Sequence, residues 1–187
     1  MTANSIKEAA IRHFADTGYE GTALSAIALD VGIKKQSIYS HFKNKDELFL
    51  ESYFEILNDE KDFILSYFQK QKGHPIDEMM FYFLFDIKNR FFNDSKIKFI
   101  FRTGFLPPAH LHDKVMNAFY CYLDELEKIF IDLFADLSNL KVDKNEAAIA
   151  FLGLLDSLLI ELVYSGEERF QRRLNSSWPI YWSGITS

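Results

Sequence analysis

An all-α fold is predicted by three features of this 187-residue sequence. Apolar residues recur at spacings of three and four, as they do on one face of a helix. Glycine and proline separate these segments, and Ser or Asn residues stand three positions before Glu in capping-box patterns. The alternation of apolar and polar residues that predicts strands is absent over any useful length. We therefore expect helices throughout the chain.

The first segment has a start signal, an apolar face and a stop signal. Ser5 and Glu8 form an S-x-x-E capping-box pattern. Gly18 supplies the residue type that commonly ends a helix. The apolar face between them consists of Ile6, Ala9, Ala10 and Phe14. The pattern predicts a first helix that ends near Gly18.

Two short segments follow and are joined by a tight turn. Thr22 can cap a second helix, in which Ile27 and Val31 face inward and which Gly32 ends. Ile38 and Phe42 lie four residues apart on one face of a third helix. Helix, tight turn and helix make a helix-turn-helix, whose second helix enters the major groove of DNA in the proteins that use it.

The remaining helices are longer. Asn44 and Glu47 form a second capping-box pattern, which opens a helix from about 46 to 70. After a break at 73–75, helices are expected at about 76–93, 96–104, 109–136 and 144–165. A last segment follows Gly166 and ends in an aromatic run at 178–182, where Pro179 should kink or restart the helix.

The charge of the chain is acidic overall but not evenly spread. The formal net charge is −6 and the pI about 5.4, which argue against a protein that coats nucleic acid without specificity. Residues 1–50 carry six basic and six acidic residues, so the acidic excess belongs to the rest of the chain. Four of those bases fall between positions 34 and 45. This local positive charge predicts a small, defined contact with an anion.

Cysteine content and hydropathy predict a cytoplasmic protein. Cys121 is the single cysteine, which excludes an internal disulfide and fits a reducing compartment. No charge-free apolar run approaches the roughly 18 residues of a membrane span. The N-terminus lacks the basic and then apolar layout of a signal peptide. We expect no membrane association.

The third helix combines two inward residues with a polar outer side. Because Ile38 and Phe42 pack inward, a polar set faces outward: Lys34, Lys35, Gln36, Ser37, Tyr39 and Ser40. Gln can read adenine and Lys can read guanine, while Tyr and His can bond phosphates or stack on sugars. Helix starts at Thr22 and at Asn44–Lys45 offer two phosphate anchors.

Residues 6–49 resemble the N-terminal domain of the TetR family of bacterial one-component regulators. The resemblance is carried by Ala9, Ala10, Phe14, Gly18-Tyr19, Thr22, Ile27-Ala28, Gly32-Ile33, Ile38-Tyr39, His41-Phe42-Lys43, Lys45 and Glu47-Leu48-Phe49. It implies a helix-turn-helix DNA-binding domain at 1–46 and a helical effector-binding and dimerisation domain at 47–187.

The resemblance also implies which residues contact DNA. They are Thr22, Lys35, Gln36, Ser37, Tyr39, Ser40, His41 and Lys45, and we add Lys34 from the outward-facing polar set. The family often has Ser or Thr in place of Lys34 and Gly in place of Gln36, so a helix cap is missing and the operator sequence stays open. The alternative is a three-helix structural unit whose Lys and Tyr are only solvated.

Phenylalanine is concentrated in the middle of the chain. Eleven of the nineteen Phe lie between positions 81 and 134. So much aromatic area fits a ligand cavity, a subunit interface or a Phe-rich core. The resemblance implies an apolar effector pocket here, with Phe83, Ile87, Phe119 and Tyr122 as candidate ligand-binding residues.

The helix at 144–165 has two faces. One is an apolar stripe that belongs in the core: Ala148, Phe151, Leu152, Leu155, Leu159 and Leu162. The other face consists of Ala150, Gly153, Leu154, Ser157, Glu161 and Tyr164. Its small residues at 150, 153 and 157 allow close approach of a second helix. The resemblance implies a homodimer through the last two helices, with the interface at Ala150, Gly153, Ser157, Glu161, Trp178 and Trp182. The alternative is that this face packs inside the monomer.

Catalytic and metal-binding patterns are not found. G-x-S-x-G, P-loop, G-x-G-x-x-G and H-E-x-x-H motifs do not occur. His110, His112, Asp113 and Cys121 are metal-ligand types, but their spacing fits no site. We expect no enzyme activity, no metal and no cofactor.

The combined expectation is a dimeric, ligand-responsive repressor. Its partners would be double-stranded operator DNA, a small and largely apolar effector, and a second copy of the chain. The alternatives are a helical small-molecule-binding protein and a constitutive DNA-binding protein without an effector.

Overall fold

The computed structural model describes residues 2–187 and contains, over that range, nine α-helices and one short 3-10 turn at Ala109–Leu111. The helices are α1 (Ala3–Gly21), α2 (Leu24–Asp30), α3 (Lys35–Ile38), α4 (Lys45–Lys70), α5 (Ile76–Asn93), α6 (Ser95–Phe105), α7 (His112–Ala135), α8 (Lys144–Tyr164) and α9 (Glu167–Ile185). The all-α prediction is confirmed. Helices α4, α5, α6 and α8 begin and end within about one residue of the predicted positions, whereas α7 begins at His112 instead of 109 because the 3-10 turn occupies Ala109–Leu111.

The helices group into two compact units. The first unit comprises the chain up to Glu60 together with Phe92–Tyr120, and the second unit comprises Lys61–Phe91 together with Cys121–Ser187. Helix α4 is continuous, so its first part belongs to the first unit and its last part to the second. The functional boundary between residues 46 and 47 stays a prediction.

Helix α1 begins earlier than its sequence pattern predicts. Thr2 is its N-cap, because the Thr2 hydroxyl accepts a hydrogen bond from the backbone N–H of Ser5. The predicted capping box of Ser5 with Glu8 is therefore wrong, since Ser5 already lies in the first turn. Gly18 breaks the helical path as predicted, with φ 72° and ψ 179°, a conformation that favours glycine. One further turn then reaches Gly21.

The turn between α2 and α3 has the predicted layout, but α2 has a different cap. Ala23 is the N-cap of α2 and makes no side-chain capping bond, so the predicted cap by Thr22 is wrong. Thr22 instead ends α1, and its hydroxyl donates to the carbonyl of Gly18 at 2.7 Å. Gly32 has φ 71° and forms the tight turn that leads to α3.

Helix α4 begins where the second capping-box pattern places it. Asn44 Oδ1 accepts a hydrogen bond from the backbone N–H of Glu47 at 2.9 Å, as an N-cap does. The Glu47 carboxylate accepts from the backbone N–H of Lys43 rather than that of Asn44. The predicted cap is confirmed, and its reciprocal bond is displaced by one residue.

Aromatic rings from three helices fill the core of the first unit. The ring of Phe14 on α1 lies 4.9 Å from Phe49 on α4 and 5.7 Å from Phe99 on α6. Tyr53, one turn further along α4, lies 5.7 Å from Phe99. Aromatic pairs of this kind contribute about 0.5–1.5 kcal/mol beyond the area they bury. They hold α1, α4 and α6 together.

Two basic side chains fasten α6 to the end of α1. Arg102 donates to the backbone carbonyls of Ala15 at 3.1 Å and Asp16 at 2.7 Å. Lys98 forms an ion pair with the Asp16 carboxylate at 2.7 Å. The guanidinium therefore binds backbone carbonyls just before the kink at Gly18.

The core of the second unit is a second chain of Phe rings. Phe68 on α4 lies 5.0 Å from Phe83 on α5, and Phe83 lies 6.0 Å from Phe130 on α7. Phe130 lies 4.7 Å from Phe151 on α8. Of the three alternatives for the Phe residues, a Phe-rich core therefore applies to these four.

Helix α8 is apolar on nearly all sides. Its predicted core stripe is confirmed, since every member is buried. Two residues predicted on the opposite face, Leu154 and Glu161, are also buried, which corrects their placement. By length and composition α8 is, among the described helices, the one that could cross a membrane, but half of its apolar window is buried inside the fold, as in the core helix of a globular protein.

Helix α9 packs against α8 and runs to the end of the chain. It begins after Gly166, which has φ 91°. Pro179 lies inside the helix, so the helix does not restart there. The last residues are tied back to the loop before α8, because Lys141 N–H donates to the carbonyl of Ile185 at 2.8 Å.

Candidate nucleic-acid interface and ligand cavity

Helix α3 has the two faces that its sequence predicts. Ile38 and Phe42 are buried, and Phe42 N–H closes the turn onto the carbonyl of Ile38 at 3.0 Å. The predicted polar set is exposed along the opposite side: Lys34, Lys35, Gln36, Ser37, Tyr39 and Ser40. Lys34 is the N-cap and makes no side-chain capping bond, which confirms the missing cap. The outer side is therefore free to meet another molecule.

The charges beside α3 are positive and largely unneutralised. Lys34 and Lys35 make no ion pair with any residue from 2 to 187. Lys43 approaches Glu47 at 3.6 Å, but its ammonium is almost fully exposed. Exposed ion pairs of this kind contribute little, so Lys43 also remains available. This is the local positive charge that the sequence predicts.

Ser40, His41 and Thr22 differ in solvent exposure and in the hydrogen bonds of their side chains. The Ser40 hydroxyl donates to the carbonyl of Ser37 at 2.7 Å, whereas His41 is exposed. The Thr22 side chain is 3% exposed, and its hydroxyl is occupied by Gly18 and by the Thr17 hydroxyl at 2.9 Å. Contact of these three residues with DNA stays a prediction, and Thr22 has the least surface to offer.

Lys45 belongs to a side-chain cluster at the start of α4. Its ammonium lies 4.1 Å from the centre of the Tyr19 ring, a cation–π distance. The Tyr19 hydroxyl donates to the Asp46 carboxylate, which His110 Nε2 also approaches at 3.2 Å. The Tyr19 and His110 rings are 5.0 Å apart. The cluster joins the end of α1, the start of α4 and the 3-10 turn before α7.

The same cluster shifts the pKa values of its members. Burial, followed by the hydrogen bond to Asp46, raises the pKa of the Tyr19 hydroxyl. That hydrogen bond and the nearby His110 lower the pKa of Asp46. Burial lowers the pKa of Lys45, while Glu20 and Asp46 act in the opposite direction. At neutral pH the phenol is therefore neutral and the carboxylate is charged, so the hydrogen bond is charge-assisted.

Sequence reasoning did not find this cluster or the Arg102 contacts. Tyr19 carries part of the family resemblance, but no pattern connects it with His110, which is 91 residues later in the chain. From the sequence, His110 was considered only as a residue type that can bind a metal. Across residues 2–187, no three His, Cys, Asp or Glu side chains form a group that could hold a metal ion.

The four candidate ligand-binding residues are all buried. In the second unit, Phe83 belongs to the Phe core, and Ile87 and Tyr122 are also buried. In the first unit, the Phe119 ring lies 6.4 Å from Phe105 and fills the space beside Gly104, where an added Cβ would approach it to 2.8 Å. Their contact with an effector stays a prediction.

A cavity of about 490 Å³ lies within the second unit. Its walls come from the end of α4, the loop at 71–75, the start of α5 and the end of α7. Apolar side chains dominate the walls: Leu65, Phe68, Ile76, Met79, Ile129 and Leu133. None of the four candidate ligand-binding residues lines it.

One side of α8 is apolar and open. Ile149, Ile160 and Tyr164 are 55%, 41% and 59% exposed. Between them Gly153 and Ala150 are also exposed, and a Cβ added at Gly153 would meet nothing within 4 Å. We call Ile149, Ala150, Gly153, Ile160 and Tyr164 the open face of α8. Exposed apolar residues grouped in this way indicate a surface that binds a partner.

The other predicted interface residues lie beside or behind this face. Glu161 is buried and paired with Arg173 on α9, so it is not on the open face. Bonds from Ser165 and then the charge of Arg173 lower its pKa. Ser157 is half-buried, and its carbonyl accepts from Arg173 at 2.7 Å. Trp178 and Trp182 are half-buried and stack at 5.5 Å.

Comparison with known proteins adds independent information. The family model described as "Bacterial regulatory proteins, tetR family" matches residues 6–52. The biofilm operon icaADBC HTH-type negative transcriptional regulator IcaR of Staphylococcus epidermidis is 35% identical over 91 residues, which are 47% of this chain and 48% of that protein. IcaR of Staphylococcus aureus strain Newman is 28% identical over 171 residues, which are 87% of this chain and 84% of that protein.

Solved structures share the fold at lower identity. A TetR-family transcriptional regulator from Cytophaga hutchinsonii has a TM-score of 0.74 and 17% identity, covering 98% of this chain and 94% of that one. FadR from Bacillus subtilis, solved in complex with stearoyl-CoA, has a TM-score of 0.68 and 18% identity, covering 98% and 100%.

Proposed function

Because the chain belongs to the TetR family of bacterial transcriptional regulators, a class of DNA-binding proteins that are not enzymes, we propose that it is a dimeric repressor released from its operator by a small, largely apolar effector. The observation that carries the proposal is the exposed polar and basic side of α3, with Lys45 at the start of the next helix. Bases and phosphates are the partners that such a side recognises.

We call the predicted DNA-binding domain at 1–46 the head. Within this proposal its residues have different roles. Gln36 reads base edges, because it is exposed at the middle of α3 and carries both a donor and an acceptor. Lys45 anchors a phosphate beside the α4 N-terminus. The Tyr19 ring, whose hydroxyl is bound to Asp46, supports the Lys45 ammonium. The further contacts are those predicted at Thr22, Lys34, Lys35, Ser37, Tyr39, Ser40 and His41.

A dimer is supported by the open face of α8. Two copies that pack their open faces together bury Ile149, Ile160 and Tyr164 of each chain, which water otherwise surrounds. The resulting two heads would read half-sites about one helical turn apart, or a little more, in successive major grooves. Trp178 and Trp182 lie at the rim of this interface in the proposal.

Repression and effector release are supported by relatives. Both IcaR proteins are named negative transcriptional regulators, which favours repression over activation. FadR holds stearoyl-CoA in the same fold, which favours a ligand with a large apolar part. Effector binding in the helical domain of residues 47–187 would shift α4 and so change the separation of the two heads. The protein acts in the cytoplasm, where its DNA is.

The proposal is tested by selecting binding sites from a pool of randomised duplexes. We expect enrichment of a palindrome with two half-sites, and footprinting of the region upstream of the protein's own gene should find a similar sequence. Enrichment of no sequence over a scrambled duplex would contradict the proposal, because non-specific binding alone does not make a regulator.

A further inference from the structure

We infer that the cavity of the second unit binds an amphipathic organic cation, with its apolar part among the side chains from α4, α5 and α7 and its cationic group beside Asp132 and Asp136. This inference rests on the proposed function only for its regulatory consequence, namely that this molecule is the effector. The cavity is distinct from the four residues predicted to bind the effector.

The size and floor of the cavity suit an organic molecule. Its volume of about 490 Å³ lies within the roughly 300–1,000 Å³ of small-molecule sites. Phe68 and Met79 are buried and form the floor, while Ile129 and Leu133 on α7 form a half-buried wall. An apolar chain or ring placed there loses contact with water, which favours binding.

Two unpaired carboxylates determine the sign of the ligand charge. Asp132 and Asp136 line the cavity one helical turn apart, at the end of α7. Neither carboxylate makes an ion pair or a hydrogen bond with another of the described residues. The two therefore present adjacent negative charges at the mouth of an apolar space, and a cation is the group that compensates them.

The end of α7 makes this negative charge stronger. Helix α7 ends at Ala135 and has no basic residue in its last turn. Helix α4 also ends beside the cavity, but its last turn carries Lys70, so α7 is the helix end that lacks a compensating charge. The carbonyl groups at a helix C-terminus carry partial negative charge, and acidic side chains there are unfavourable without a cation. A bound cation would relieve this repulsion.

Lys72 and His74 are the basic residues in the wall of the cavity. Both lie in the loop after α4, and neither forms an ion pair within residues 2–187. Lys72 offsets one of the two carboxylates, and the imidazole of His74 carries a charge only when it is protonated. An anionic ligand would have to approach two carboxylates and the α7 C-terminus, so we expect it to bind more weakly than a cation.

The test uses three ten-carbon probes that differ only in their head group: decyltrimethylammonium, decanoate and decanol, each below its micellar concentration. Binding to the full chain is measured by isothermal titration calorimetry. Asp132 and Asp136 are exposed, and an exposed carboxylate changes the affinity for a cation by a factor of up to about five. With two of them, we expect decyltrimethylammonium to bind roughly fivefold to tenfold more tightly than decanoate. Decanol should lie between them.

Matched variants assign the binding to this site. The double variant Asp132→Asn, Asp136→Asn should bind decyltrimethylammonium roughly fivefold to tenfold more weakly. Asp124→Asn serves as the control, because Asp124 is an exposed acid on the same helix that does not line the cavity. Leu133→Trp should weaken all three probes by filling the space. Circular dichroism establishes that each variant is folded.

Three results would overturn the inference: no binding of decyltrimethylammonium, binding of decanoate at least as tight, or equal loss in Asp124→Asn and in the double variant. A separate titration of operator DNA distinguishes the two claims. Binding at the cavity with unchanged operator affinity would keep the cation site and contradict its role as effector site. Operator release by decanoate alone would keep the proposed function and reject the cation site.

Discussion

The outer side of α3 and the open face of α8 expose opposite kinds of surface. Helix α3 presents lysine, glutamine, serine and tyrosine, and its two apolar residues are turned inward. Helix α8 presents Ile149, Ile160 and Tyr164 around the bare backbone of Gly153. The first surface suits a hydrated polyanion, and the second suits another apolar protein surface. In the proposed dimeric regulator, contact with DNA and contact with a partner subunit would therefore use separate surfaces.

The two surfaces also depend on different ranges of sequence. The side chains of the α3 surface lie within a dozen residues, and the turn at Gly32 and the cap at Asn44 orient them. The open face of α8 consists of residues that packing leaves uncovered, since α9 covers Glu161 through Arg173 and the Phe core covers Phe151. Local chemistry therefore defines the first surface, and packing between helices defines the second.

The largest expected effect comes from blocking the open face of α8. Gly153→Leu places a bulky side chain where the partner helix would pack, while nothing in the subunit obstructs it. We expect folded monomers in analytical ultracentrifugation. Operator affinity should fall by a factor on the order of 10²–10⁴, because two linked heads no longer bind together.

Cys121→Leu is the matched control for this substitution, because Cys121 is exposed on α7, outside the open face. It should leave both dimer and operator affinity unchanged. A folded Gly153→Leu dimer would show that the interface lies elsewhere.

The second-largest expected effect concerns the coupling between effector binding and operator binding. A thermal-shift screen should find stabilisation by apolar or aromatic molecules rather than by sugars or phosphates, because unpaired polar groups are costly to desolvate in an apolar site. A ligand at a hundredfold its dissociation constant adds about 2.7 kcal/mol to the free energy of unfolding. Bound ligand should weaken operator binding by a coupling of about 1–3 kcal/mol. Hits confined to sugars or phosphates would contradict an apolar site.

A substitution on the α3 surface should affect sequence preference and leave the dimer intact. Gln36→Ala should cost about 1–3 kcal/mol for each half-site and relax the preference for the bases it reads. Lys45→Ala should weaken binding to all sequences alike and reduce the salt dependence by about one unit per subunit. Competition titrations with operator and scrambled duplexes at several salt concentrations measure both. Equal loss of sequence preference in the two variants would contradict this division.

Much of the first region could be predicted from the sequence because its signals are short-range. Glycines at 18 and 32, the cap at Asn44 and the spacing of Ile38 and Phe42 each act within about four residues, and the structure has them as expected. The errors at Ser5 and Thr22 came from the same rules. In each case a neighbouring residue took the cap, which short patterns do not exclude.

The second region was less predictable because its features are made by distant segments. The helical pattern of α8 predicted Glu161 on an exposed face, but packing of α9 pairs it with Arg173. The cavity joins the loop at 71–75 to residues 129–136, and no periodicity in either segment indicates that they meet. The Tyr19–Asp46–His110 cluster is of the same kind within the first unit.

The smallest expected effect tests that cluster. Tyr19→Phe removes the hydrogen bond to Asp46 and should lower the free energy of unfolding at pH 7 by about 0.5–1.5 kcal/mol. Asp46 has a lowered pKa in the folded protein, so its contribution is present above about pH 4 and is lost as pH falls further. Tyr19 has a raised pKa, so its contribution is present below about pH 10 and is lost as pH rises further.

Urea unfolding at pH 3, 7 and 10.5 should therefore show the largest difference between Tyr19→Phe and the unsubstituted protein at pH 7. Tyr39→Phe is the control, because Tyr39 is an exposed tyrosine on α3 without a hydrogen bond to Asp46. A difference that is constant with pH would show that the hydroxyl is not coupled to the carboxylate.

The separation of a DNA surface from a subunit surface is tested most directly by sedimentation of the chain with a labelled duplex that carries the selected palindrome. We predict two chains per duplex at saturation and a preference for this duplex over a scrambled one of at least about 10³. One chain per duplex at the same affinity, or equal binding to the scrambled duplex, would contradict the account.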